Sequence, residues 1–153
     1  MIVQARRNMP DDTWDYVCGG AESETTLRRN RMALDCIAFR PLILRDVREV
    51  DPSATFLGHK IRLPVLLAPL GRVQTFCENG ALDVDTAAEE FGTINFLSTV
   101  TEPGPEEVIA NSPHPKVFQI YMRGDNDWLK ELVDQVIKLK FFAVALTVDL
   151  AYY

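Results

Sequence analysis

Three observations predict an α/β chain built from successive βα units. Four short apolar runs begin near residues 64, 93, 117 and 141, spaced 24 to 29 residues apart. A helix-compatible stretch lies between each pair. The later runs turn polar on one face toward their C-terminal ends, where βα folds bind ligands. Parallel strands joined by right-handed crossovers follow from this order. Such units build either a small open sheet or half of an eight-fold barrel, which typically needs about 250 residues. The length of 153 residues favours the open sheet. The candidate site residues favour the half barrel.

Residues 1–60 read as an N-terminal helical and extended cap, and 61–153 as four βα units. In the cap, "DDTWDYVC" is a short helix stopped by Gly19 and Gly20. A second helix follows in "SETTLRRNRMALDCI", with Ser23 in position to cap it. "FRPLILRDVREVDPS" is extended and broken by Pro41 and Pro52, and "TFLGHKIRL" is a hairpin around Gly58-His59. The first βα strand, "PVLLAP" (64–69), is continuous and apolar, as a strand buried on both faces requires. Helix 80–92, strand 93–98, helix 104–112 with an early Pro105, and strand 116–122 come next. In helix 125–140, Leu129, Leu132, Val133, Val136 and Ile137 form one stripe and Asp125 caps the start. Strand 141–150 closes the series.

The net charge of −6 argues against nucleic acid or an anionic membrane surface as partner. No run approaches the roughly 20 apolar residues of a spanning helix. The start, "MIVQARRNMPDD", lacks the apolar core of a signal peptide. Cys18, Cys36 and Cys77 are odd in number and widely spaced, which supports neither a disulfide framework nor a zinc site. Buried or semi-buried thiols in a reducing cytosol are expected. His59 and His114 read as surface residues in a turn and a Pro-flanked loop.

Side chains alternate along a strand. Val117, Gln119 and Tyr121 share one face of their strand; Ala143, Ala145, Thr147 and Asp149 share one face of the next. Each strand thus keeps one apolar face for helices, while the other ends polar. Gln119, Tyr121, Thr147, Asp149 and Ser98 reach one level, beside the turn Pro69-Leu70-Gly71. Unpaired buried groups of this kind cost about 1–3 kcal/mol each. They therefore face a polar ligand, or they satisfy one another and the loops. Neither GxGxxG nor GxxxxGK[ST] occurs, so the phosphate-cradling glycines of those motifs are missing. A flat ring with a heteroatom edge suits the array, because an amide donates and accepts at once. Glycine at 71 lets backbone approach such a ring.

With these residues in place, the chain resembles the FMN-dependent α-hydroxy acid oxidases and dehydrogenases, which include glycolate oxidase, lactate oxidase, mandelate dehydrogenase and the flavin domain of flavocytochrome b2. The resemblance runs from about residue 14 to the end through "DYVCGGAE", "NRMALDCIAFRPLILRDV", "FLGHKIRLPVLLAPLG", "FLSTV", "FQIYM" and "ALTVD". It implies the first half of a (β/α)8 barrel, FMN as cofactor, and oxidation of a small L-α-hydroxy acid to the α-keto acid. It implies backbone near flavin N5 at Pro69, Leu70 and Gly71, and side chains holding the flavin ring at Ser98, Gln119 and Thr147. Tyr121 corresponds to a tyrosine facing the reacting carbon, and Tyr16 to one that binds the substrate carboxylate. The family forms tetramers or larger homo-oligomers.

Leu70, the stretch Cys77-Glu78-Asn79-Gly80, and Val100 in place of a substrate-side tryptophan depart from the family pattern. The family's histidine base, its arginines and a flavin-contacting lysine come later than residue 153. The expectation is therefore a half that is inactive alone and pairs with a C-terminal half. Two rivals stand beside it: another FMN barrel, such as a flavin-type isopentenyl-diphosphate isomerase, and a non-catalytic half-barrel interaction module.

Overall fold

The computed structural model describes residues 2–148, which form two units, 2–50 and 51–148. The first carries α1 (Ile2–Asn8), α2 (Asp11–Cys18) and α3 (Thr25–Asp35), then a stretch without regular structure. The α2 helix ends where Gly19 N–H returns to the Asp15 carbonyl at 2.8 Å. A Cβ at Gly19 would lie 2.6 Å from that same oxygen, so only glycine closes the turn. Ser23 does not cap α3; Glu24 occupies the cap position in the left-handed region, and the Ser23 hydroxyl pairs with that of Thr25 instead. No residue of this unit is buried, so it has no core of its own. Cys18 and Cys36 are exposed there, against the expectation of buried thiols.

The second unit opens with a hairpin, β1 (Ala54–Phe56) and β2 (His59–Ile61). Its turn falls one residue earlier than the sequence suggests, at Leu57-Gly58, both with positive φ. His59 therefore sits in β2, its ring 4.4 Å from that of Phe142, rather than in an exposed turn. Next come α4 (Ala81–Phe91), β3 (Asn95–Ser98), α5 (Pro105–Asn111), β4 (Lys116–Ile120), α6 (Asn126–Lys138) and β5 (Ala143–Leu146). The strands are parallel in the order β3-β4-β5. "PVLLAP" does not form a strand; it contributes one parallel bridge, Leu67 to Asn95. Pro64 and Pro69 bracket it and donate no ladder bonds.

Two apolar clusters lie on opposite faces of this sheet. On the helix side, Leu97, Phe118 and Ile120 pack with Ala81, Val108, Val136 and Phe141. The Phe118 and Phe141 rings meet edge-on at 5.3 Å. Leu129, Leu132 and Val133 of α6 join them, whereas Ile137 turns to solvent. Asp125 caps α6 by accepting from Trp128 N–H at 2.9 Å, as the sequence predicts. On the other face Ile94, Phe96, Val117, Ala143 and Ala145 pack with Ile61 and Phe56 of the hairpin. The hairpin thus belongs to the second unit and closes the N-terminal end of the strands. The alternation read from sequence holds beyond the first rung: Leu97, Phe118 and Ile120 line one face, which Asn95 and Lys116 open with buried polar groups, and the other face ends polar. The outer face of β5 is the exception, because Val144, Leu146 and Val148 are exposed.

Candidate active site

Strand register brings the polar groups together. Ser98 lies opposite Gln119, and Gln119 opposite Ala145. The short Ala145 side chain leaves the Gln119 amide free to reach one row further, to Thr147. Ser98 Oγ donates to Gln119 Oε1 at 2.8 Å, and Gln119 Nε2 donates to Thr147 Oγ1. Ser98 and Gln119 are each 3% exposed, and Thr147 is half-buried. The three residues therefore satisfy one another, the alternative open from sequence. They do not exhaust one another. The amide keeps a second N–H and a second lone pair, and the Thr147 hydroxyl keeps its own proton. The row is a held polar edge with donor and acceptor capacity left over.

Tyr121 falls just past the end of β4 and is half-buried, with its N–H 3.3 Å from Thr99 Oγ1. The turn 69–71 lies beside the loop after β3. Thr101 Oγ1 donates to the Leu70 carbonyl, and Arg72 N–H reaches the Val100 carbonyl at 3.1 Å. A Cβ on Gly71 would stand 2.7 Å from Val100 Cγ2. Valine is stiff at χ1 and cannot swing aside, so glycine is required here by Val100 itself. Gly80, with φ +56°, is equally constrained, because a Cβ there would lie 2.1 Å from the Glu102 carbonyl. That carbonyl accepts from Ala81 N–H at 2.9 Å and starts α4.

Tyr16 stands on α2 in the first unit, 62% exposed. Asp149 lies outside the described residues. His114 is not a plain surface residue: its Nε2 pairs with the Thr93 carbonyl, and its own carbonyl accepts from Lys116 Nζ at 2.9 Å. Cys77 is half-buried, and burial, with the nearby Asp83 charge, pushes its thiol up from the usual range. Among the described residues no group of acidic, histidine and cysteine side chains could hold a metal ion. Nor is any helix long and apolar enough to cross a membrane. Sequence reasoning passed over Thr99 and Thr101. Their only signal is the Thr-Val-Thr spacing right after a strand.

Residues 5–153 match the family of FMN-dependent dehydrogenases. Glycolate oxidase 1 of Oryza sativa subsp. indica is 39% identical over 145 residues, 95% of this chain and 39% of that protein. Glycolate oxidase of Spinacia oleracea is 37% identical over the same length. Among solved structures, mandelate oxidase with (S)-2-phenylpropionate superposes with a TM-score of 0.90 at 29% identity, over 97% of this chain and 44% of that one. The chain thus spans 39% of the length of the glycolate oxidase it matches, and its fold is part of a (β/α)8 barrel. A family match over nearly the whole chain, together with this fold, shows that the chain belongs to the FMN-dependent dehydrogenase family.

Proposed function

We propose that this chain supplies the flavin-facing part of an oxidoreductase that converts an L-α-hydroxy acid to the α-keto acid with FMN. The observation that carries this reading is the hydrogen-bonded Ser98–Gln119–Thr147 row at the C-terminal strand ends, with Ser98 and Gln119 buried and Thr147 half-buried. The residues fit FMN by donor chemistry. A flavin pyrimidine edge offers adjacent donors and acceptors, and the remaining N–H and lone pair of the Gln119 amide match it. Thr147 adds a hydroxyl donor. Pro69, Leu70 and Gly71 would offer backbone to the N5 side of the ring, and Gly71 would put no side chain in the way. FMN held there would supply the redox chemistry, uptake of a hydride equivalent from the substrate α-carbon.

Tyr121 donates its phenol hydrogen to the substrate oxygen as negative charge develops there, and a donor aimed at developing charge lowers the barrier. Tyr16 binds the substrate carboxylate. Val100, small where a tryptophan would fill space, admits a bulkier substrate side chain. The base that takes the hydroxyl proton belongs to further βα units, which would also cover Val144, Leu146 and Val148. Homo-oligomerisation and a reducing cytosol, which suits the three free thiols, belong to the same proposal.

The full-length protein should show flavin bands at about 370 and 450 nm. Anaerobic glycolate or mandelate should bleach the longer-wavelength band. Tyr121→Phe should slow that bleaching roughly 100-fold with flavin still bound. A colourless protein, or a flavin that no α-hydroxy acid reduces, contradicts the proposal. Release of flavin by Tyr121→Phe would contradict the role given to Tyr121.

A further inference from the structure

We infer that Thr99 and Thr101 are positioning residues that staple the two sides of the proposed flavin site together; the inference rests on the functional reading above. The β3–β4 ladder runs out at Thr99, whose N–H still reaches the Gln119 carbonyl at 3.0 Å. In a continuing parallel ladder the next rung would run from Tyr121 N–H to the Thr99 carbonyl. Here Tyr121 N–H lies 3.3 Å from Thr99 Oγ1 instead. That hydroxyl also donates to the Gln119 carbonyl. One hydroxyl has one proton and two lone pairs, so it serves both contacts at once. It therefore bridges Ile120 and holds the backbone on either side of it. The directions in which Gln119 and Tyr121 leave the strand end are set by that bridge.

Two residues on, Thr101 repeats the device toward the other neighbour. It is 7% exposed and donates to the Leu70 carbonyl. The peptide unit is planar, so fixing the Leu70 carbonyl fixes the Gly71 N–H on the same unit. The Arg72 to Val100 backbone bond at 3.1 Å holds the loop alongside. Residues 99–101 thus tie the turn 69–71, on one side, to residues 119–121, on the other. The turn and Gln119 are the two places proposed to meet the flavin, so the loop sets the gap between them.

The test uses Thr99→Val and Thr101→Val, which keep the shape and delete the hydroxyl, and Thr99→Ser and Thr101→Ser, which keep it. In the full-length apoprotein, amide hydrogen exchange at Tyr121 should quicken at least about tenfold in Thr99→Val. Exchange at Gly71 should do the same in Thr101→Val. In the flavin-loaded protein, sulfite, which adds at flavin N5, should bind Thr101→Val at least about tenfold more weakly. Thr99→Val should lower kcat about tenfold with little change in KM. Each serine variant should restore the behaviour of the unaltered protein. Unchanged exchange, sulfite affinity and kcat in the valine variants would overturn the staple. So would a defect that serine fails to restore, since that marks packing rather than the hydroxyl. A colourless unaltered protein would overturn the flavin reading alone, and the exchange measurements would then decide the staple by themselves.

Discussion

Gln119 is held at both ends of its amide before any ligand arrives. Ser98 fixes the oxygen and Thr147 the nitrogen, so the plane of the group is set by neighbours on two adjacent strands. Such preorganisation is what a binding group needs, because no side-chain ordering remains to oppose association. Cys77 shows the opposite chemistry. Burial and the Asp83 charge push its thiol up, so little thiolate exists at neutral pH. Labelling with a thiol reagent at pH 7 should modify the exposed Cys18 and Cys36 first and Cys77 at least about tenfold more slowly. Equal rates would contradict that placement. At this scale the sequence shows Ser98, Gln119 and Thr147 as one level because parity alone aligns them. It hides Thr99 and Thr101, whose partners are main-chain groups of distant residues that carry no side-chain signature.

At the scale of elements, the placement of β4 rests on a buried ion pair. Lys116 opens the strand 1% exposed, and its Nζ stands 3.2 Å from Asp85 Oδ1 on α4, which is 0% exposed. The ammonium also donates to the Ser112 and His114 carbonyls at 2.8 and 2.9 Å. Asp85 Oδ1 accepts no hydrogen bond, so Lys116 is the countercharge on which it depends. Lys116→Met should cost about 3–5 kcal/mol by leaving that carboxylate buried without its countercharge, with only Asn111 Nδ2 at 3.5 Å from Oδ2, whereas Lys116→Met with Asp85→Leu should recover most of the loss. Urea unfolding measures both; a single variant as stable as the parent would contradict the account. Amphipathic periodicity makes α6 legible in the sequence, and so does its Asp125 cap. The run at 64–69 misleads for a physical reason: apolar content signals burial, while the flanking prolines remove the ladder donors that a strand needs. Ser23 misleads likewise, since its hydroxyl pairs with that of Thr25, the first residue of α3, instead of capping the helix.

Over the whole molecule, the two units differ in how they are held. Residues 2–50 bury nothing, whereas residues 51–148 have cores on both faces of a parallel sheet. The hairpin closes one end of that sheet, and the polar row occupies the other. This polarity is what the βα rhythm predicts. Spacing alone leaves open whether the sheet is complete, because an open sheet and part of a barrel share the same repeat. The candidate site residues tip the reading toward part of a barrel, and the exposed apolar face of β5 and the match to part of the mandelate oxidase chain agree with it. If the polar strand ends hold FMN, a fluorescence titration of FMN into the full-length apoprotein and its Gln119→Leu variant reads it out. The parent should quench the flavin stoichiometrically, and the variant should bind it at least about tenfold more weakly. No binding by the parent, or equal affinity in the two, would contradict it.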